Sequence, residues 1–209
     1  MSNFGFSCLR VVNPYEIAFR EARSAIGASS VLHQAGEYTN LADAVADCSL
    51  VIGTTAIRRR DLQHAVVPLN ESAPLISQHA APFALLFGSE KVGLSNDDLS
   101  HCHSILHIPT CTENISMNLG QAVAVCLYEF IREPTRKAAN SGKGEPATAQ
   151  ELERLTGVLS IALAASGYTK KGAGHSTTEK ARRLIRRLTL SGEDAQTLLG
   201  MLRKISRRE

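Results

Sequence analysis

The fold class this 209-residue chain predicts is an α/β domain with a mostly parallel sheet, followed by a small α-helical domain. Three observations lead there. Up to residue 133, short apolar runs alternate with stretches of helical spacing, the strand–helix–strand order of a parallel sheet. Residues 134–149, PTRKAANSGKGEPATA, break that order with Gly, Pro, Ser, Ala and charge, and read as a linker. From residue 150 to 209 only helical spacing remains.

In order, CLRVV (8–12) reads as a strand, Glu16 to Ile26 as a helix, and LADAVAD (41–47) as a shorter one. SLVIGTT (49–55), FALLFG (83–88) and SILHIP (104–109) read as buried strands. Ser95-Asn96-Asp97-Asp98-Leu99 has the composition of a capped short helix, and Leu119 to Ile131 that of the last helix of the domain. In the tail, Glu151–Ser166, Thr177–Leu190 and Gly192–Arg207 each space Leu, Ile and Ala helically. Gly167 is placed to end the first and Ser191 to cap the third. The middle tail helix, TEKARRLIRRL, is expected to carry Leu184, Ile185 and Leu188 on its apolar face, with Arg182, Arg183, Arg186 and Arg187 over much of the rest.

Composition narrows the function. A hydrophobic content of 44% with scattered charge is that of a soluble globular chain, and no apolar run approaches the roughly 20 residues of a membrane span. MSNFGFSCLRVV lacks the pattern of a signal peptide. Five cysteines (Cys8, Cys48, Cys102, Cys111, Cys126) without a CxxC pair fit reduced thiols in a cytoplasm. Cys102, His103, His107 and Cys111 offer metal-ligand atoms but no zinc-type pairing, so no metal is expected. Residues 1–133 hold 8 Lys+Arg against 13 Asp+Glu (net −5), and residues 134–209 hold 15 against 7 (net +8). A basic tail on an acidic body points to a polyanionic partner such as RNA or DNA, or to a solvated basic surface.

Three strand ends carry the chemistry: GTTA (53–56), FGSEKVGLS (87–95) and IPTCTENISMNL (108–119). In open parallel sheets ligands bind beyond the carboxyl ends of the strands. Gly53 and Gly88 let main chain approach a ligand closely. None of the three is GxGxxG or GxxxxGK[ST], which argues against a dinucleotide or nucleoside triphosphate site.

Together, FGSEKVGLSNDDL and IPTCTENISMNLGQAVAVCLYE resemble motifs two and three of the SpoU (TrmH) family of RNA ribose 2′-O-methyltransferases, of the SPOUT superfamily. CSLVIGTTAIRRR is similar to the strand that precedes those motifs. The tail, with Gly167-Tyr168 and then RRLIRRL, is similar to the extension of the TrmJ-like branch, which acts on a ribose of the tRNA anticodon loop. The resemblance implies a C-terminal trefoil knot, an exception to unthreaded topology, and a homodimer with its sites near the subunit interface. It implies S-adenosylmethionine bound by Thr54, Thr55 and Ala56, by Gly88, and by Ile108, Ile115, Ser116 and Met117. Direct methyl transfer from a sulfonium needs no metal. It needs the hydroxyl held in line and its proton removed.

Candidate catalytic residues are Ser116, Asn118 and Glu90. Ser116 and Asn118 match the family's Ser-x-Asn-Leu, where they hold the knot loop and the RNA ribose or phosphate, or else form a helix-capping network. Glu90 orients loops around the cofactor or meets a second subunit. Arg58, Arg59 and Arg60 are candidates for RNA phosphates or the site entrance, with a solvated loop as the alternative. Arg182, Arg183, Arg186 and Arg187 are the candidate RNA contacts of the tail.

Two departures stand out. Motif one of the family, whose arginine is the leading candidate for activating the ribose hydroxyl, is expected before Met1-Ser2-Asn3-Phe4-Gly5-Phe6. Either the chain is a fragment of an active enzyme that starts at that motif's closing methionine, or it is short and has lost catalysis. On both readings this 209-residue chain is expected to be weak or inactive. Asn114 stands where TrmJ-like proteins often carry an aromatic. A ribosomal RNA methyltransferase, a non-catalytic RNA-binding relative and a DNA-binding regulator are the other functions weighed. The last requires a base-reading helix-turn-helix that the tail does not offer.

Overall fold

The structure, a computed structural model, describes residues 1–24, 30–56, 64–72, 76, 81–111, 117–132, 144–170 and 172–206. Strand β1 (Arg10–Val12) pairs in parallel with β2 (Gly36–Tyr38), joined through helices α1 (Glu16–Ser24) and α2 (Ser30–His33). Helix α3 (Leu41–Ala44), capped by the Asn40 side chain, leads to β3 (Leu50–Thr54). Strands β4 (Val66–Pro68), β5 (Phe83–Leu86) and β6 (Ser104–His107) complete a second sheet in the order β4-β6-β3-β5, every pair parallel. Helix α4 (Asn96–Ser100) and helix α5 (Leu119–Arg132) flank it. The tail is α6 (Ala149–Ala165), α7 (Gly174–Arg187) and α8 (Gly192–Ser206).

The expected parallel α/β fold is present, and β3, read as buried, lies at its centre with Val51 and Ile52 fully enclosed. The strand expected over residues 8–12 begins at Arg10 and belongs to a separate two-stranded sheet. Strands β2 and β4 are three residues each, too short for a strand period to show, and β4 ends on Pro68. They form because a parallel neighbour supplies the hydrogen bonds.

Helix α6 starts two residues earlier than its apolar spacing suggests. The Thr148 side chain accepts from Glu151 N–H, while the Glu151 carboxylate accepts from Thr148 N–H, a capping box. The end of the expected linker is therefore structured. Ala147 is buried, its N–H donates to Leu190 O (3.0 Å), and Gly192 N–H donates to Glu145 O (2.9 Å). Residues 134–143 of that linker lie outside the described residues. Leu152, Leu155, Ile185, Ala195 and Leu199 form the tail's own core.

The tail rests on the body. The first N–H groups of α6, which have no partner within their own helix, donate to the turn after α3: Ala149 to Cys48 O (2.7 Å) and Gln150 to Ala46 O (3.1 Å). Helix α7 lies against α4, and here the expected faces are corrected. The buried stripe of α7 is Ala181, Arg182, Ile185 and Arg186, whereas Leu184 and Leu188 are about half exposed (48% and 50%). The reason is charge pairing. Arg182 donates to both Glu153 oxygens from Nε (2.9 and 3.2 Å), to Asp97 Oδ1 (3.0 Å) and to Ser100 Oγ (2.7 Å) from Nη1. Arg186 reaches Glu153 at 3.6 Å and Ala149 O at 3.3 Å. Arginine stems cover apolar surface as leucine would, and carboxylates from two other helices receive the heads.

Candidate functional site

Strands β3, β5 and β6 are adjacent and parallel, so their carboxyl ends open on the same edge. Two side-chain and main-chain bonds lock those ends together. Thr54 Oγ1 donates to Leu86 O (2.8 Å), and Thr55 N–H donates to Leu106 O (3.1 Å). Beyond them lies a cavity of about 350 Å³, at the small end of ordinary ligand clefts.

Its walls come from the three segments singled out in the sequence. The first supplies Thr54, Thr55 and Ala56, the second Phe87 through Leu94, and the third Ile108, Thr110 and Met117. Helix α5 closes one side with Leu119 and Ala122, three residues apart on one helical face. Of the expected cofactor contacts, Thr54, Thr55, Ala56, Gly88, Ile108 and Met117 are thus brought together. Ile115 and Ser116 lie outside the described residues, as do Asn114 and Arg58, Arg59 and Arg60.

The second wall folds as a tight loop. Gly93 N–H donates to Ser89 O (2.8 Å), and Gly93 takes φ 72, a left-handed conformation that glycine adopts without a steric penalty. Gly88 is glycine for a different reason: a Cβ there would stand 2.0 Å from the Gly93 carbonyl carbon. Immediately after the loop, Ser95 and Asp98 form a capping box that starts α4.

Glu90 and Asn118 meet. Glu90 Oε1 accepts from Asn118 Nδ2 (3.2 Å) and from Leu119 N–H (3.4 Å), while Asn118 Oδ1 accepts from Gly120 N–H (2.9 Å) and Gln121 N–H (3.4 Å). Asn118 is the N-cap of α5 and, through its amide, ties that helix to the second loop. Of the two roles weighed for this amide, capping accounts for its oxygen, and the bond to Glu90 engages its nitrogen. Glu90 thus bridges two cavity walls, the second loop and the start of α5.

Sequence reasoning singled out the segments that hold Thr110, Leu94 and Leu119 without naming these residues as walls, and missed Ala122 altogether. Leu119 and Ala122 had a readable signal, the inward spacing of an apolar helix that starts at the cleft. Two of the tail's candidate RNA contacts are corrected. Arg182 is buried at 9% exposure and Arg186 at 1%, both answered by Glu153, so neither faces solvent. Arg183 packs beside Glu179 (3.7 Å), and Arg187 is exposed. Cys102, His103, His107 and Cys111 do not converge. Cys102 is buried, with burial pushing its thiol up to about 12, and His103 Nδ1 accepts from Val51 N–H (3.0 Å). Among the described residues one metal-like group exists, Asp97, His175 and Glu179, with ligand atoms within 4.8 Å of one another. Arginine already answers its carboxylates: Arg182 meets Asp97 and Arg183 meets Glu179.

A cavity at the ends of three parallel strands, walled by the loops that follow them, defines an α/β protein with its cleft beyond the sheet, where such folds bind ligands. Comparison narrows the class. The model of the SpoU rRNA Methylase family matches residues 1–128, and the chain belongs to that family. It is 35% identical over 212 residues to the tRNA (cytidine/uridine-2′-O-)-methyltransferase TrmJ of Sodalis glossinidius (strain morsitans), covering 98% of this chain and 83% of the relative. It is 34% identical over 218 residues to the protein of the same name from Yersinia pestis (strain Pestoides F), covering 100% and 84%. The crystal structure of TrmJ from Z. mobilis ZM4 superposes with a TM-score of 0.82 at 31% identity, covering 99% of this chain and 90% of that one. A probable methylase family protein from Haemophilus influenzae Rd KW20 superposes at 0.56 with 28% identity.

Proposed function

We propose that this protein is an S-adenosylmethionine-dependent RNA methyltransferase that modifies a ribose 2′-hydroxyl of tRNA, in the anticodon loop. The observation that carries the reading is the cavity of about 350 Å³ at the ends of β3, β5 and β6, in a chain of the SpoU family whose full-length relatives are named as tRNA 2′-O-methyltransferases. The residues fit the cofactor. Phe87, Leu94, Ile108, Met117 and Leu119 offer apolar surface to an adenine, and Thr54, Thr55 and the loop main chain offer polar groups to a ribose and an amino acid. When bound, S-adenosylmethionine supplies a methyl group on a sulfonium, a leaving group already activated without a metal. The chain's own part is positional: the Glu90–Asn118 bond holds the second loop to the start of α5, and the Thr54 hydroxyl holds β3 to β5.

The same reading includes a C-terminal trefoil knot and a role for Ser116 in the site. It includes a homodimer, RNA contacts from Arg58, Arg59, Arg60 and the exposed Arg187, and a cytoplasmic location. Among the described residues no helix is long and apolar enough to cross a membrane. Residues 1–133 form the catalytic unit and 150–209 the basic tail, with 144–149 joined to the tail.

The test is methyl transfer from labelled S-adenosylmethionine to unmodified tRNA and to ribosomal RNA, followed by nuclease digestion and identification of the nucleoside. Calorimetry with S-adenosylhomocysteine runs beside it. A 2′-O-methylated nucleoside from tRNA supports the proposal. Transfer to ribosomal RNA alone supports the reading that the family model's own description favours. Absence of both cofactor binding and transfer overturns the proposal.

A further inference from the structure

The tail presents a surface that its own core does not use. Helix α6 ends at Ala165, and Gly167 turns the chain at φ 75. Gly167 N–H donates to Ala164 O (3.2 Å) and Thr169 N–H to Leu163 O (3.3 Å). Gly172, at φ 81, then redirects the chain, and Ala173 N–H donates to Lys170 O (3.0 Å) just before α7. On this hydrogen-bonded turn Tyr168 is 71% exposed, Lys170 is exposed, and the His175 side chain is 76% exposed. The ring is held away from the tail's core by a backbone that is itself well bonded.

The turn's position adds to its chemistry. His175 lies in the first turn of α7, where its Nε2 pairs with Glu179 (3.1 Å) and its ring stands near Asp97 of α4 in the group described above. Helix α4 is capped by Ser95, the residue after the cavity-lining Leu94. The same cavity loop exposes Lys91 and Val92, the latter at 72%. So α4 supports both the rim of the cleft and the turn. Asp97 and Glu179, the acidic groups at this junction, are met by Arg182, Arg183 and His175, and Lys170 stands exposed on the turn beside them.

We propose that Tyr168 and Lys170, on the turn after α6, form a docking surface for an unpaired stretch of the RNA substrate, with Tyr168 stacking on a base and Lys170 meeting a phosphate. Every nucleobase has a face to stack, and a phosphate chain supplies the complementary charge. The inference rests on the reading of the protein as an RNA methyltransferase and names how that substrate is held.

The experiment measures binding of unmodified tRNA transcript to the full chain by fluorescence anisotropy, with calorimetry of S-adenosylhomocysteine in parallel. Tyr168→Ala is expected to weaken RNA binding about tenfold, in line with stacking losses at such platforms. Tyr168→Phe keeps the ring and is expected to stay within about twofold of wild type, and neither change should alter cofactor affinity. Lys170→Ala should weaken binding and lower the dependence of log K on log salt by about 0.7, one phosphate contact on a single strand. Unchanged RNA affinity in Tyr168→Ala, while wild type binds, overturns the role of the turn alone. Equal damage from Tyr168→Phe overturns stacking. A change of oligomeric state in Tyr168→Ala, read by light scattering, reassigns the ring to a subunit contact. A wild-type chain that binds no RNA overturns the turn's role together with the reading beneath it.

Discussion

Gly88 and Gly93 sit five residues apart in one cavity loop and are glycine for opposite reasons. At Gly88 there is no room: an added Cβ would lie 2.0 Å from the Gly93 carbonyl carbon and 2.2 Å from Leu94 N. At Gly93 there is open space but a φ of 72, which costs an L-residue about 1 kcal/mol. Gly88→Ala should therefore displace the wall and weaken S-adenosylhomocysteine binding by tenfold or more in calorimetry. Gly93→Ala should cost about 1 kcal/mol of stability and much less affinity. Equal losses of affinity would refute this division. His101 belongs to the same scale. Burial, then Arg182, then Arg186 push its pKa down to about 4 from 6.5, against the opposing pull of Glu153 and Asp97. Between those values the unfolded chain binds a proton that the folded chain refuses. The stabilisation is complete above pH 6.5 and is lost as pH falls toward 4, by about 3 kcal/mol at most. Urea midpoints from pH 7.5 to 4.5 should fall less steeply in His101→Gln than in wild type.

Helix α7 shows at the scale of an element how a pattern can be read correctly and assigned to the wrong face. Its leucines and arginines were legible, but which stripe faces inward depends on Glu153 and Asp97, 29 and 85 residues away in the chain from Arg182. No local rule reaches that far. The two buried arginines also differ in kind. Arg182 is engaged through all three of its nitrogens, whereas Nε and Nη1 of Arg186 find no hydrogen-bond partner among the described residues, and burial lowers its pKa to about 10. Arg182→Met should cost about 3 kcal/mol, because it strands two carboxylates and Ser100. Arg186→Met should cost about 1 kcal/mol or less, since it removes a poorly compensated charge and fills its space. Chemical denaturation of both variants checks the order. Helices α4 and α5 lie at the other extreme: Ser95 and Asn118 were readable as caps because capping is decided within three residues.

Over the whole molecule, the body carries an apolar face that nothing in the described chain covers. Val125 (38%), Tyr128 (53%) and Ile131 (49%) recur every three residues along α5, with Phe4 edge-on to Tyr128 at 6.4 Å. This stripe is the expected seat of the second subunit in the proposed homodimer. Light scattering should give the mass of a dimer for wild type and of a monomer for Ile131→Glu, a charge that a buried interface does not accept. The parallel α/β body, the helical tail and the three loops of the cleft were all legible in the sequence, because hydrophobic period, glycine and capping residues act over a few positions. Strands β2 and β4, the docking of the tail and the inward turn of Arg182 and Arg186 were decided by tertiary structure alone. Each depends on hydrogen-bond and charge partners that folding brings from distant parts of the chain, and those partners set which face of an element is buried.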